Sequence, residues 1–118
     1  MYGLDASVDL SFLVGRKVEG VLIGTHSTVV HFDEKCEISI VSEMEFGATG
    51  ACIAMPEGMP AIRGQLAKIV GQKVESVQNR GGGNIILTFS NAFQLMLHDH
   101  ETMYESYIIS SATQTIVV

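Results

Sequence analysis

The residues best equipped for chemistry stand together at His98-Asp99-His100. On a strand, residues i and i+2 share a face, so both imidazoles could take one metal, with His31 or Glu101 as a third ligand. His98, however, closes an apolar strand where the chain turns, and no second ligand pair with supporting spacing exists. A surface His-Asp-His without metal is therefore expected. His26 and His31 belong to the first hairpin, with His31 on the face opposite Val30 and Phe32. A general base needs an oriented partner and a substrate pocket, and the sequence displays neither. No catalytic residue and no cofactor are assigned, and the chain is not expected to be an enzyme.

Two glycine clusters invite comparison with anion-binding loops. A phosphate loop runs from a strand into a helix with Lys or Ser in register. Arg80-Gly81-Gly82-Gly83 instead separates two strands, which makes it a hairpin turn, and Gly47-Ala48-Thr49-Gly50 carries no stronger signal. Cys36 falls on an apolar stripe and is expected in the core, while Cys36 and Cys52 lack metal-type spacing and are expected as free thiols.

Charge is the more informative chemistry. The 118 residues carry a net charge of −6, a field that repels phosphate backbones and anionic membranes and favours a basic protein partner. Residues 33–45 hold Asp33, Glu34, Glu37, Glu43 and Glu45 against Lys35 alone, and residues 99–105 add Asp99, Glu101 and Glu105 with no basic residue. The cations Arg16, Lys17, Arg63, Lys68, Lys73 and Arg80 lie elsewhere in the sequence. Tyr104 and Tyr107 border the second acidic segment, giving a composition of aromatic anchors beside charged steering groups. Asp33, Glu34, Glu43, Glu45, Asp99, Glu101, Tyr104, Glu105 and Tyr107 are therefore the candidate partner-binding set.

These residues must be positioned by a duplicated framework. LVGRKVEGVLIGTHSTVVHFDEKCEISIVSE at 13–43 and IVGQKVESVQNRGGGNIILTFSNAFQLMLHDH at 69–100 match at Val14/Val70, Gly15/Gly71, Lys17/Lys73, Val18/Val74, Glu19/Glu75, Val21/Val77 and Phe32/Phe89. Each copy reads as a short helix (Val8 to Val14, Ala61 to Val70), capped by Asp9 or opened by Pro60 and closed by a left-handed Gly. Strands follow at Lys17–Ile23, Thr28–Phe32 and Cys36–Val41, and at Lys73–Asn79, Asn84–Phe89 and Phe93–His98. Valines spaced by three call for a β-bulge at Gly20 and at Ser76. Another short strand is expected within Glu45–Ala54, and two more at Met103–Ser110 and Gln114–Val118. The fold class is mainly β (α+β): a single domain over 1–118, with repeats at about 9–43 and 61–100, forming an antiparallel sandwich or half-open barrel with two short helices. The symmetry could bring the two acidic segments to similar ends of the sheet.

The paired pattern LVGRKVEGV…VVHF and IVGQKVESV…ILTF, followed by YESYIIS, resembles a set of small bacterial domains. In size, acidity and β-rich duplicated build the chain is also similar to immunity proteins of contact-dependent growth inhibition and related polymorphic toxin systems. The resemblance concerns role and build, so no functional residue is carried over from it. It implies a cytoplasmic antitoxin, monomeric or weakly dimeric, that binds a cognate toxin domain (commonly a nuclease, a ribonuclease foremost) without contacting nucleic acid or membrane. No apolar stretch approaches the ~20 residues of a membrane span, and acidic Asp5 and Asp9 preceding any basic residue do not read as an export signal. The alternatives are a small-molecule-binding or sensory β module with its ligand between the halves, and a metal-dependent enzyme at His98, His100 and His31.

Overall fold

A computed structural model describes residues 8–56, 60–99 and 106–118. The first copy supplies β1 (Val18–Ile23), β2 (Thr28–Phe32) and β3 (Glu37–Ile40), followed by β4 (Met44–Ala48) and β5 (Ile53–Met55). The second supplies β6 (Val74–Asn79), β7 (Ile85–Phe89) and β8 (Phe93–Leu97), followed by β9 (Tyr107–Ser110) and β10 (Thr115–Val117). They form two antiparallel five-stranded sheets packed together, in the orders β1-β2-β3-β9-β10 and β5-β4-β8-β7-β6. This is the sandwich that the alternating pattern predicts.

The bulges fall where the valine spacing places them. Pairing of β1 with β2 shifts register between Val18 and Gly20, and pairing of β6 with β7 shifts between Val74 and Ser76. Val18 and Val74 are thereby buried while Val21 and Val77 still pack against the core. Gly15 and Gly71 close the preceding segments at φ +87° and +88°. Val30, Phe32, Ile38 and Ile40 of one sheet share a single core with Ile85, Leu87, Phe89, Leu95 and Leu97 of the other, and burial of each such side chain stabilises by about 1.5–3 kcal/mol.

Both expected helical segments are present but largely 3-10, and only the first shrinks. The first is a single 3-10 turn at Ser11–Leu13, and the second is a short α turn, α1 (Pro60–Arg63), continued by a 3-10 segment at Gly64–Ile69. The buried positions explain this. Leu10 and Leu13, like Arg63, Leu66 and Ile69, recur every third residue, and three residues per turn sets i and i+3 on one side. At the first turn, Asp9 accepts the Ser11 N–H at 2.9 Å, and the Ser11 hydroxyl first, with this N–H second, holds its carboxyl below the usual range.

The duplication runs further than the sequence match. β4 and β5 follow the first copy but complete the second copy's sheet, while β9 and β10 follow the second copy and complete the first's. Each half thus lends its last two strands to the other. The pseudo-two-fold relation is visible where the copies meet at the Lys17–Lys73 bridge. Gly15 N–H donates to Val74 O and Gly71 N–H to Val18 O, both at 2.8 Å. Val18 N–H to Gln72 O at 2.8 Å is mirrored by Val74 N–H to Arg16 O at 2.9 Å.

Candidate binding site

Strand exchange sets the β3–β4 connection against the described ends of the β8–β9 connection, His98–Asp99 and Ser106. The N–H groups of Val41 and Ser42 donate to Ser106 O at 3.0 and 3.1 Å. Ser42 Oγ reaches His98 O at 3.1 Å and Ser106 O at 3.3 Å, and Ser106 Oγ donates to Asp99 Oδ1 at 2.6 Å. These bonds bring exposed Glu43, half-buried Glu45 and half-buried Asp99 into one neighbourhood, drawn from both halves of the duplication.

His98 belongs to the same neighbourhood. Its Nε2 lies 2.6 Å from Glu45 Oε2 and its Nδ1 lies 3.0 Å from Asn84 Oδ1. An oriented carboxylate partner, which the linear pattern does not reveal, is therefore present, and a hollow of about 440 Å³ opens beside the ring between Arg80, Ile86 and Met96. Both ring nitrogens are already engaged, so neither stands open to a substrate proton. The chemistry this arrangement supports is positional: the imidazole fixes the Glu45 carboxylate. The pair would have been legible only from the β4–β8 register, in which Glu45 faces Met96.

The other candidates divide. Asp33 and Glu34 occupy the β2–β3 turn, separated from Glu43 by the length of β3, about 13 Å of extended chain. The two ends of the first acidic segment are thus at opposite ends of the strand, and only Glu43 and Glu45 of that segment lie with Asp99. Glu34 is also paired with Arg16, whose guanidinium is held above its ordinary pKa by that carboxylate, so acidic and basic residues are not fully segregated. Tyr107 is a correction. It is fully buried, its hydroxyl donates to Gly83 O at 2.8 Å, and burial with the nearby Asp99 charge pushes its pKa far up. A ring in the core cannot anchor a partner. Glu101, Tyr104 and Glu105, with His100 of the metal reading, lie outside the described residues. His31 pairs with Glu37 at 3.2 Å on the other sheet. Among the described residues no group of three or more His, Cys, Asp or Glu could hold a metal, and no helix is long and apolar enough to cross a membrane.

Arg63, one of the cations set apart in sequence from the acidic segments, is buried. It donates to Thr28 Oγ1 at 3.0 Å, Ser42 O at 2.9 Å and Met55 O at 3.2 Å. One guanidinium thus ties β2, the crossover and β5 together. Its place in the threefold burial rhythm with Leu66 and Ile69 is the signal that could have found it.

A second concavity, of about 640 Å³, opens at the margin of the sandwich. Its walls come from β4, β5, β8, the loop at Ala51 and the 60–69 segment. It lies against one sheet, with β4 and β5 of the first half on one side and β8 and the 60–69 segment of the second half on the other. No protein family, no curated protein and no solved structure matches the chain.

Proposed function

We propose that the chain is a non-enzymatic inhibitor of the immunity type, which binds the basic active-site surface of a cognate bacterial toxin domain, a nuclease and most specifically a ribonuclease, and occludes it. The observation that carries this reading is the gathering of Glu43, Glu45 and Asp99 at the strand crossover. Backbone hydrogen bonds fix the chain there, and His98 and Ser106 hold two of the three carboxylates. Carboxylates already in place occupy phosphate-binding positions on a partner with little ordering cost, and their field speeds encounter at low salt. Asp33 and Glu34 form a separate, partly neutralised outpost.

The test is retention of a basic protein on the tagged full chain in one-to-one ratio, with loss of that protein's nuclease activity on binding. The isosteric variant Glu43→Gln/Glu45→Gln/Asp99→Asn, shown by circular dichroism to be folded, should slow association by about tenfold or more at low salt and flatten its salt dependence. Inhibition with unchanged salt dependence in that variant would sink the reading.

A further inference from the structure

The 640 Å³ concavity lies within the range of small-molecule sites. Its floor is the aromatic pair Phe46 and Phe93, with ring centroids 5.5 Å apart and planes tilted by 40°. Ile53, on the edge strand β5, keeps 56% of its surface in water beside it. At the mouth stands Lys68, its Nζ 5.7 Å from the centre of the Phe93 ring. An apolar hollow with one cation at its rim, in a chain of net charge −6, has the polarity to select an anion with an apolar body.

The internal duplication provides a control. Counting back from the matched pair Gly15 and Gly71, Leu10 corresponds to Leu66 and Leu13 to Ile69, and all four are buried. Between them, Phe12 of the first copy packs against the core, and the corresponding residue of the second copy is the exposed Lys68. An aromatic at this position, as in the first copy, would add packing against the core, and open hollows cost stability. The second copy gives up that packing for a charge at the rim of an apolar wall, a trade typical of binding sites.

We propose that this concavity binds a small amphipathic anion, its apolar body lying against Phe46, Phe93 and Ile53 and its negative group on Lys68. This site is independent of the crossover carboxylates and stands whether or not the inhibitor reading does.

The experiment is an amide-resolved NMR titration of the full chain with octanoate and, separately, with 1-octanol. Saturable one-to-one shifts confined to residues 46–55, 62–68 and 93 are expected, with octanoate bound about three- to fivefold more tightly, the gain of one exposed ion pair. Lys68→Gln should make the two probes equal. Lys68→Phe, which restores the first copy's residue, should abolish both while raising the melting temperature. Non-saturating or scattered shifts would overturn the proposal. So would octanoate retaining its advantage in folded Lys68→Gln, an outcome that does not depend on Lys68→Phe folding.

Discussion

Gly83 is the position at which the fold's two unusual demands coincide. Its φ is +85°, and a Cβ built there would lie 2.2 Å from Asp99 Cβ. The neighbouring Gly82 has φ +64° but its nearest atom would be the Asn84 side-chain nitrogen at 3.7 Å. Gly82→Ala therefore carries the left-handed cost alone, about 1–2 kcal/mol. Gly83→Ala adds a clash with an atom that rides on the backbone of the crossover and cannot swing aside, a further 1–3 kcal/mol or so. It also disturbs the carbonyl that accepts the Tyr107 hydroxyl. A loss of about 3 kcal/mol lowers the urea midpoint by about 1.5–2 M at an m-value of about 1.5–2 kcal/mol/M. The assay is urea unfolding followed by far-ultraviolet circular dichroism on both single variants, on Asp99→Gly, and on Gly83→Ala/Asp99→Gly. Removing the Asp99 side chain deletes the clashing atom, so the cycle should show a coupling of about 1–3 kcal/mol. A Gly83→Ala midpoint equal to that of Gly82→Ala, or a coupling near zero, would refute the packing of this turn against the crossover.

Three further outcomes follow from the buried polar and sulfur groups. Tyr107→Phe should cost about 1–2 kcal/mol by leaving Gly83 O without its donor. Because the native state holds the Tyr107 proton more tightly than the unfolded chain does, that stabilisation is complete below the ordinary tyrosine pKa of about 10 and fades above it. Wild-type urea midpoints should accordingly fall more steeply between pH 10 and 12 than those of Tyr107→Phe, and parallel curves would contradict the assignment. Arg63→Met, which empties three hydrogen-bonding positions at once, should lower stability by about 3 kcal/mol or more, and a loss under about 0.5 kcal/mol would show the latch to be dispensable. Burial raises the pKa of both thiols, but Cys36 is enclosed while Cys52 is half-exposed. Ellman's reagent at pH 8 should therefore titrate Cys52 in the native protein and Cys36 only at the rate of unfolding, a result that equal fast reaction of both would exclude.

Where the chain's own periodicity governs structure, the sequence is a sufficient guide. The alternation in Thr28–Phe32 and Ile85–Phe89, the two bulges and the two left-handed glycines all follow from which side chains must face a core. The helices are less legible because Leu10/Leu13 and Leu66/Ile69 fit a helical face and a 3-10 turn alike, and tertiary packing decides between them. The exchange of terminal strands is not legible at all. MEFGA in β4 and YIIS in β9 share no pattern, and local sequence cannot say which sheet a strand joins once its connection is long enough to cross. For the same reason the site is half legible. The acidic residue types are evident, but only the crossover shows that Glu43 belongs with Asp99 and not with Glu34, and that Tyr107, adjacent in sequence to the acidic segment, is the core's own aromatic.

The exchange also bears on why the candidate residues sit where they do. In a duplicated sandwich without exchange, each half would keep its own connections and the acidic segments would remain on separate sheets. Crossing forces two polar connections into contact at the seam, where backbone groups not engaged in either sheet must be satisfied by other means. Ser42, Ser106, Asp99 and Arg63 supply those bonds. Rigidity at the seam is therefore a requirement of the fold before it serves any partner, and carboxylates placed there acquire fixed positions at little extra cost. The exposed face of the 60–69 segment carries no such obligation, so Lys68 can stand where the first copy has Phe12. One scaffold thereby holds a rigid charged seam and an apolar hollow on neighbouring positions of β4, where Glu45 serves the first and Phe46 the second.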